Sequence, residues 1–75
     1  MTSDPIAFGT VIKDERRKRG LSQDGLASLC GMSRAYIGEI ERGKVNVSLS
    51  TLEALARGLN LSLAEVIESY EQQAR

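Results

Sequence analysis

The sequence predicts an all-α fold of five short helices, and three observations carry that expectation. Apolar residues recur at three- and four-residue spacing along most of the chain, the pattern of helices with one face turned inward. Serines and one aspartate stand where helices would start, and glycines where they would stop. No stretch alternates with period two for long enough to make a strand. Residues 44–49 come nearest, but they follow a glycine and have no partner run.

Each element follows from its punctuation. Asp4 and Pro5 read as N-cap and first helical residue, with Ile6, Phe8, Val11 and Ile12 as the apolar face and Gly20 closing the helix. Ser22 caps a second helix barely two turns long, with Leu26, Ala27, Leu29 and Cys30 inward and Gly31 where a left-handed cap is cheap. Ser33 caps a third, whose Tyr36, Ile37 and Ile40 share a face and which Gly43 stops. Ser50 with Glu53 forms a capping box for a fourth, striped by Leu52, Leu55, Ala56 and Leu59. Ser62 with Glu65 repeats the device for a fifth, which carries Leu63, Val66, Ile67 and Tyr70 and runs over about residues 62–72. Gly25 lies inside the second helix, where glycine costs about 1 kcal/mol relative to alanine. It either admits a close backbone approach or is simply tolerated.

Composition narrows the function classes. At 75 residues the chain holds one domain, 1–75. A domain this size buries only about 60% of the surface its unfolded form exposes, so a partner subunit is expected on physical grounds. With 41% apolar and 27% charged residues, it should fold rather than stay disordered. No apolar run approaches the roughly 18 residues needed to span a bilayer, and the N-terminus lacks a secretory pattern, so a cytoplasmic protein without a membrane partner is expected. There is one cysteine, Cys30, and no histidine. An internal disulfide, a zinc cluster and a histidine acid–base pair are therefore excluded. No metal, no cofactor and no enzyme activity are expected, and Cys30 reads as a core filler.

The net charge is zero, which at first sight disfavours nucleic acid as a partner. The distribution is uneven, however. Residues 1–44 carry eight Lys/Arg against six Asp/Glu, and residues 45–75 carry two against four, giving +2 and −2. A molecule with one anion-facing side and random surface scatter both fit this asymmetry.

The residues from Gln23 to Arg42 carry the motif. A helix-turn-helix needs a small residue where two helices cross, a residue tolerant of positive φ at the turn, and apolar residues that lock the second helix. Counting Gln23 as the first of twenty, Ala27 is fifth and Gly31 ninth. Leu26, Cys30, Met32, Ile37 and Ile40 fill the lock positions. The flanks agree in Arg16, Gly20-Leu21-Ser22-Gln23, Gly31-Met32-Ser33, Ile40-Glu41-Arg42-Gly43 and Leu52-Glu53-Ala54-Leu55-Ala56. With these residues the chain resembles the lambda-repressor-like, Xre/Cro-type regulators of bacteria and phages.

That resemblance implies a compact five-helix lambda-repressor-like domain whose second and third helices form the DNA-binding motif over residues 23–42, with double-stranded operator DNA as partner. Carried onto this sequence, it places Gln23 as a phosphate clamp at the start of helix two. It places Ser33, Arg34, Ala35 and Glu39 toward base edges. Arg34 can fork onto guanine O6 and N7 or meet only phosphate; Ala35 suits a thymine methyl. Two roles fit Glu39: accepting from cytosine N4, or pairing with Arg34 or Arg42 along the helix. Tyr36, Arg42, Lys44, Asn46 and Ser48 match the region that grips the DNA backbone. Arg16 and Glu41 fall where family members join helix one to helix three, which would orient Arg16 toward phosphate. Arg17, Lys18 and Arg19 have the weaker claim, since most charge runs are solvated faces.

The run from Arg34 to Leu49 is similar to that of restriction-modification controller proteins, which dimerise through C-terminal helices and regulate their own operon. This resemblance implies a homodimer joined through helix five by Leu61, just before it, with Leu63, Ile67 and Tyr70, residues that so small a core leaves little to cover. A twofold dimer implies a palindromic site, and activation implies RNA polymerase as a further partner. With the chain ending just after helix five, no small-molecule effector is expected. The competing class is an antitoxin-type protein-interaction module with autoregulatory DNA binding.

Overall fold

The computed structural model describes residues 4–74. Five helices follow one another: α1 (Pro5–Lys18), α2 (Gln23–Cys30), α3 (Arg34–Glu41), α4 (Leu49–Gly58) and α5 (Leu63–Gln73). There is no strand among the described residues, and residues 44–48 form an irregular connection with a bend at Val45. α1 packs against α3 and α5, α2 against α3 and α4, and α4 against α5. Among the described residues no helix is long and apolar enough to cross a membrane.

The helix starts follow from hydroxyl and carboxylate caps. Asp4 accepts from the Ala7 N–H, and Ser22, Ser33 and Ser62 accept from Gly25, Tyr36 and Glu65. Ser62 and Glu65 complete a reciprocal capping box. The fourth helix departs from expectation. Its cap is Ser48 rather than Ser50, and Ser48 accepts from the Thr51 N–H at 3.2 Å. Val47, 1% exposed, anchors the chain in the core immediately before Ser48. Ser50 then lies two residues further on, inside the first turn, and its hydroxyl sits 3.0 Å from that of Ser48.

The helix ends share one device. A left-handed residue, Gly20, Gly31, Gly43 or Asn60, follows the last turn. The next residue's N–H reaches back five residues: Leu21 to Arg16, Met32 to Ala27, Lys44 to Glu39 and Leu61 to Ala56. These are Schellman closures, which satisfy otherwise orphaned carbonyls. Three of the four read left-handed residue, apolar residue, serine cap, so a single three-residue unit ends one helix and starts the next.

One core joins all five helices. It contains Phe8, Ile12, Leu26, Ala27, Ile37, Ile40, Val47, Leu52, Leu55, Ala56, Leu59 and Val66. Two residues expected inward are not part of it: Ile6 is 70% exposed and Leu29 59% exposed. On the same two helices Phe8, Ile12, Leu26 and Ala27 occupy the core instead. Gly43 lies over the backbone of Ile6, and Gly58 faces Cys30 across α2 and α4.

Helix five also differs from expectation. Leu61, Leu63 and Tyr70 are half-buried against the core, and Tyr70 faces Phe8 with ring centroids 6.4 Å apart. Three of the four residues expected to lack cover thus have some within the subunit. Only Ile67 is left substantially exposed, at 40%.

Candidate nucleic-acid interface

The motif is built where α2 and α3 meet. Leu26 and Ala27 of α2 and Ile37 and Ile40 of α3 are buried, while Cys30 and Met32 are half-buried against them. Burying an isoleucine side chain contributes about 1.5–3 kcal/mol, so Ile37 and Ile40 fix which side of α3 turns outward. The opposite side carries Arg34, Ala35 and Glu39, all exposed, and continues into exposed Arg42. Their spacing of one, four and three residues gathers them along one face of the helix. Ser33 is exposed at the head of this face, with its hydroxyl accepting from the Tyr36 N–H at 3.1 Å.

The charged groups on that face are loosely held. Arg34 Nε lies 3.9 Å from Asp24 Oδ1 at the start of α2, and both side chains are mostly exposed. A pair this open adds little stability, so the Arg34 guanidinium is available to a ligand. Neither ion pair considered for Glu39, with Arg34 or with Arg42, forms among the described residues; Arg34 turns to Asp24 instead. The Arg42 guanidinium folds back over Gly38, which is buried beneath it. Lys44, Asn46 and Ser48 follow on the exposed connection, and Tyr36 lies half-buried beside the core.

Behind this face stands a polar brace. Arg16 Nε donates to Glu41 Oε2 at 2.7 Å, and Arg16 Nη2 donates to Glu41 Oε1 at 3.0 Å. Arg16 Nη1 donates to the Leu21 carbonyl at 2.9 Å. Gln23 Nε2 adds a bond to Glu41 Oε1 at 3.1 Å. One guanidinium therefore ties α1, the turn into α2, and the end of α3. Its hydrogen bonds to Glu41 push it still further above its ordinary range, so its charge is permanent. The ion pair with Glu41 that was expected of Arg16 is present. At 9% exposure its guanidinium is turned inward, because the bidentate match to Glu41 outcompetes an outward pose.

The basic run of α1 also resolves into separate roles. Arg17 is exposed. Lys18 bonds the Glu15 carboxylate at 3.1 Å. Arg19 donates to the Leu59 carbonyl at 2.7 Å and to the Glu15 carbonyl at 2.8 Å, pinning the end of α1 to the end of α4. Burial pushes the Glu15 carboxyl up, but the bonds and charges of Lys18 and Arg19 outweigh it and hold the group below the usual range. Burial pushes the Cys30 thiol up, with Arg57 opposing weakly, in keeping with a packing role.

Three contributors escaped the sequence reading. Gly9 lets α1 lie against the carbonyls of Ile40 and Glu41, and the signal for it was a glycine inside an otherwise strong helix. Arg19 reaches a carbonyl forty residues away, for which no local signal exists. Asn60 takes φ +57, and its signal was the repeated unit in which it stands in for glycine.

A helix-turn-helix family model matches residues 12–66 of this chain. The chain belongs to the helix-turn-helix family. Control protein C.MunI of a Mycoplasma species is 38% identical over 74 residues, covering 97% of this chain and 100% of that protein. The restriction-modification controller protein C.AhdI from Aeromonas hydrophila has a crystal structure similar to this fold, with TM-score 0.81 and 40% identity over 87% of this chain and 98% of that one. The controller protein C.Esp1396I matches with TM-score 0.89 and 28% identity, covering 99% and 96% of the two chains. These likenesses bear out the all-α, five-helix expectation and the resemblance to restriction-modification controllers.

Proposed function

We propose that this protein is a sequence-specific DNA-binding transcriptional regulator of the restriction-modification controller type, acting as a homodimer on a palindromic operator of its own operon. The carrying observation is the outward face of α3, where Arg34, Ala35 and Glu39 stand exposed on a helix locked from behind by Ile37 and Ile40. In this reading those side chains and Ser33 meet base edges. Gln23, Tyr36, Arg42, Lys44, Asn46 and Ser48 meet the backbone, and Arg16 serves by bracing.

Size supports the dimer. The longest extent of the described residues is 29 Å, short of the roughly 34–36 Å between successive half-sites on one side of a duplex. One copy therefore reaches one half-site, and Ile67 with Leu61, Leu63 and Tyr70 is the proposed contact between copies. Activation of the operon would engage RNA polymerase. The near full-length match to C.MunI favours this over a toxin-binding module. A gel-shift titration with the DNA upstream of the gene, beside a scrambled duplex, tests the reading. Equal retention of both duplexes would overturn it, and sedimentation of the DNA-free protein as a single protomer at roughly tens of micromolar, where mass action favours association, would overturn the dimer.

A further inference from the structure

The Glu41 carboxylate holds more than its arginine. Its Oε1 accepts from Arg16 Nη2 and also from Gln23 Nε2, the latter at 3.1 Å. The Glu41 side chain is 3% exposed, so the bond to Gln23 is made away from water, where it is worth more. Gln23 is the first residue of α2 and is itself half-buried.

A glutamine carboxamide has two chemically opposite ends, and a free one samples both orientations before a phosphate arrives. An ionised carboxylate accepts only, so it selects the NH2 end. One of the two amide hydrogens is then bound by Glu41 and the second remains for an anion at the head of α2. A lone carboxylate there would repel a phosphate. The fork of Arg16 cancels that charge, leaving a neutral pair that still orients the amide.

We propose that Glu41 is a positioning residue for phosphate binding: backed by Arg16, it fixes the Gln23 amide with its second N–H toward the DNA backbone. Arg16 thus acts on DNA through Glu41 and Gln23 without touching it. This role rests on the DNA-binding reading above.

A double-mutant cycle tests it. Glu41→Gln in the native background is expected to weaken operator binding about tenfold, and in a Gln23→Ala background less than about twofold, because the coupled pair is already broken. Equal losses in both backgrounds would mean that Glu41 only braces helices, and would overturn the role. Glu41→Gln leaves Arg16 without its counter-charge and can unfold the chain, so an arm on the native protein is needed. The chain has three glutamines, Gln23, Gln72 and Gln73. In the unbound protein the Gln23 side-chain amide is expected to be ordered, and those of exposed Gln72 and Gln73 to fall below an order parameter of about 0.6. A Gln23 amide as mobile as the other two would overturn the role. Absence of any sequence-selective binding by the native chain would overturn the regulator reading and this role together, whereas native binding with an uncoupled cycle overturns the role alone.

Discussion

Gly9 lies directly against the end of α3: a Cβ built on it would sit 2.8 Å from the carbonyl oxygen of Glu41, and closer still to that of Ile40. The obstacle is backbone on both counts and cannot rotate away. Gly9→Ala is therefore expected to push α1 off α3 and destabilise the fold by about 1–3 kcal/mol, the usual cost of overpacking. Thermal unfolding measures it. A variant as stable as the native chain would show that the two helices can separate freely.

Gly25 should behave in the opposite way. A Cβ there would lie 3.3 Å from Ser22 Oγ and 3.5 Å from Leu21 Cδ2. Three other serine caps in this molecule already carry a full side chain at the same position, Tyr36, Thr51 and Glu65. The cap geometry accommodates a Cβ, so Gly25→Ala is expected to stabilise by about 0.4–1 kcal/mol through the lower entropy of the unfolded chain. A lower midpoint in denaturant would contradict this.

Arg34 and Gln23 should fail differently. Removing an exposed fork that reads a base edge relaxes discrimination at one base position by about 1–3 kcal/mol, whereas removing a backbone clamp weakens every site alike. Competition between the operator and single-base variants separates Arg34→Ala from Gln23→Ala. Identical profiles for the two would show that Arg34 contacts phosphate only.

Acid should loosen the molecule through Glu15. Its carboxyl is held below the ordinary value of 4.5 when folded, so the unfolded chain binds the proton first as pH falls. The stability it confers is complete above about pH 4.5 and is lost as pH drops through the folded value. The advantage of the native chain over Glu15→Gln should shrink across that acid range, as read from thermal midpoints. A constant difference down to low pH would rule out this linkage.

Local grammar was legible in the sequence to different depths. Asp4, Ser22, Ser33 and Ser62 were readable as caps because a cap needs only its own next three residues. Ser48 and Ser50 compete two positions apart, and the choice was made by burial of Val47, which no local pattern announces. Ile6 and Leu29 match the helical period yet face solvent, while Phe8 and Ile12 of α1 and Leu26 and Ala27 of α2 occupy the core. On α3 the face was legible from Ile37 and Ile40. Its supports, Gly9 and the bond from Gln23 to Glu41, depend on residues distant in sequence and became visible only in three dimensions.

The commitment of Arg16 and Arg19 to partners within the fold bears on how this protein would meet ordinary DNA. Cations committed to Glu41, Glu15 and Leu59 release no counterions from a duplex. On the recognition side that leaves Arg34, Arg42 and Lys44, so the logarithm of affinity should fall with that of salt at a slope of only about −2.7 per protomer. Such a shallow dependence leaves little attraction to bulk chromosomal sequence. Few copies would be held away from the operator, and occupancy would track how many copies the cell contains.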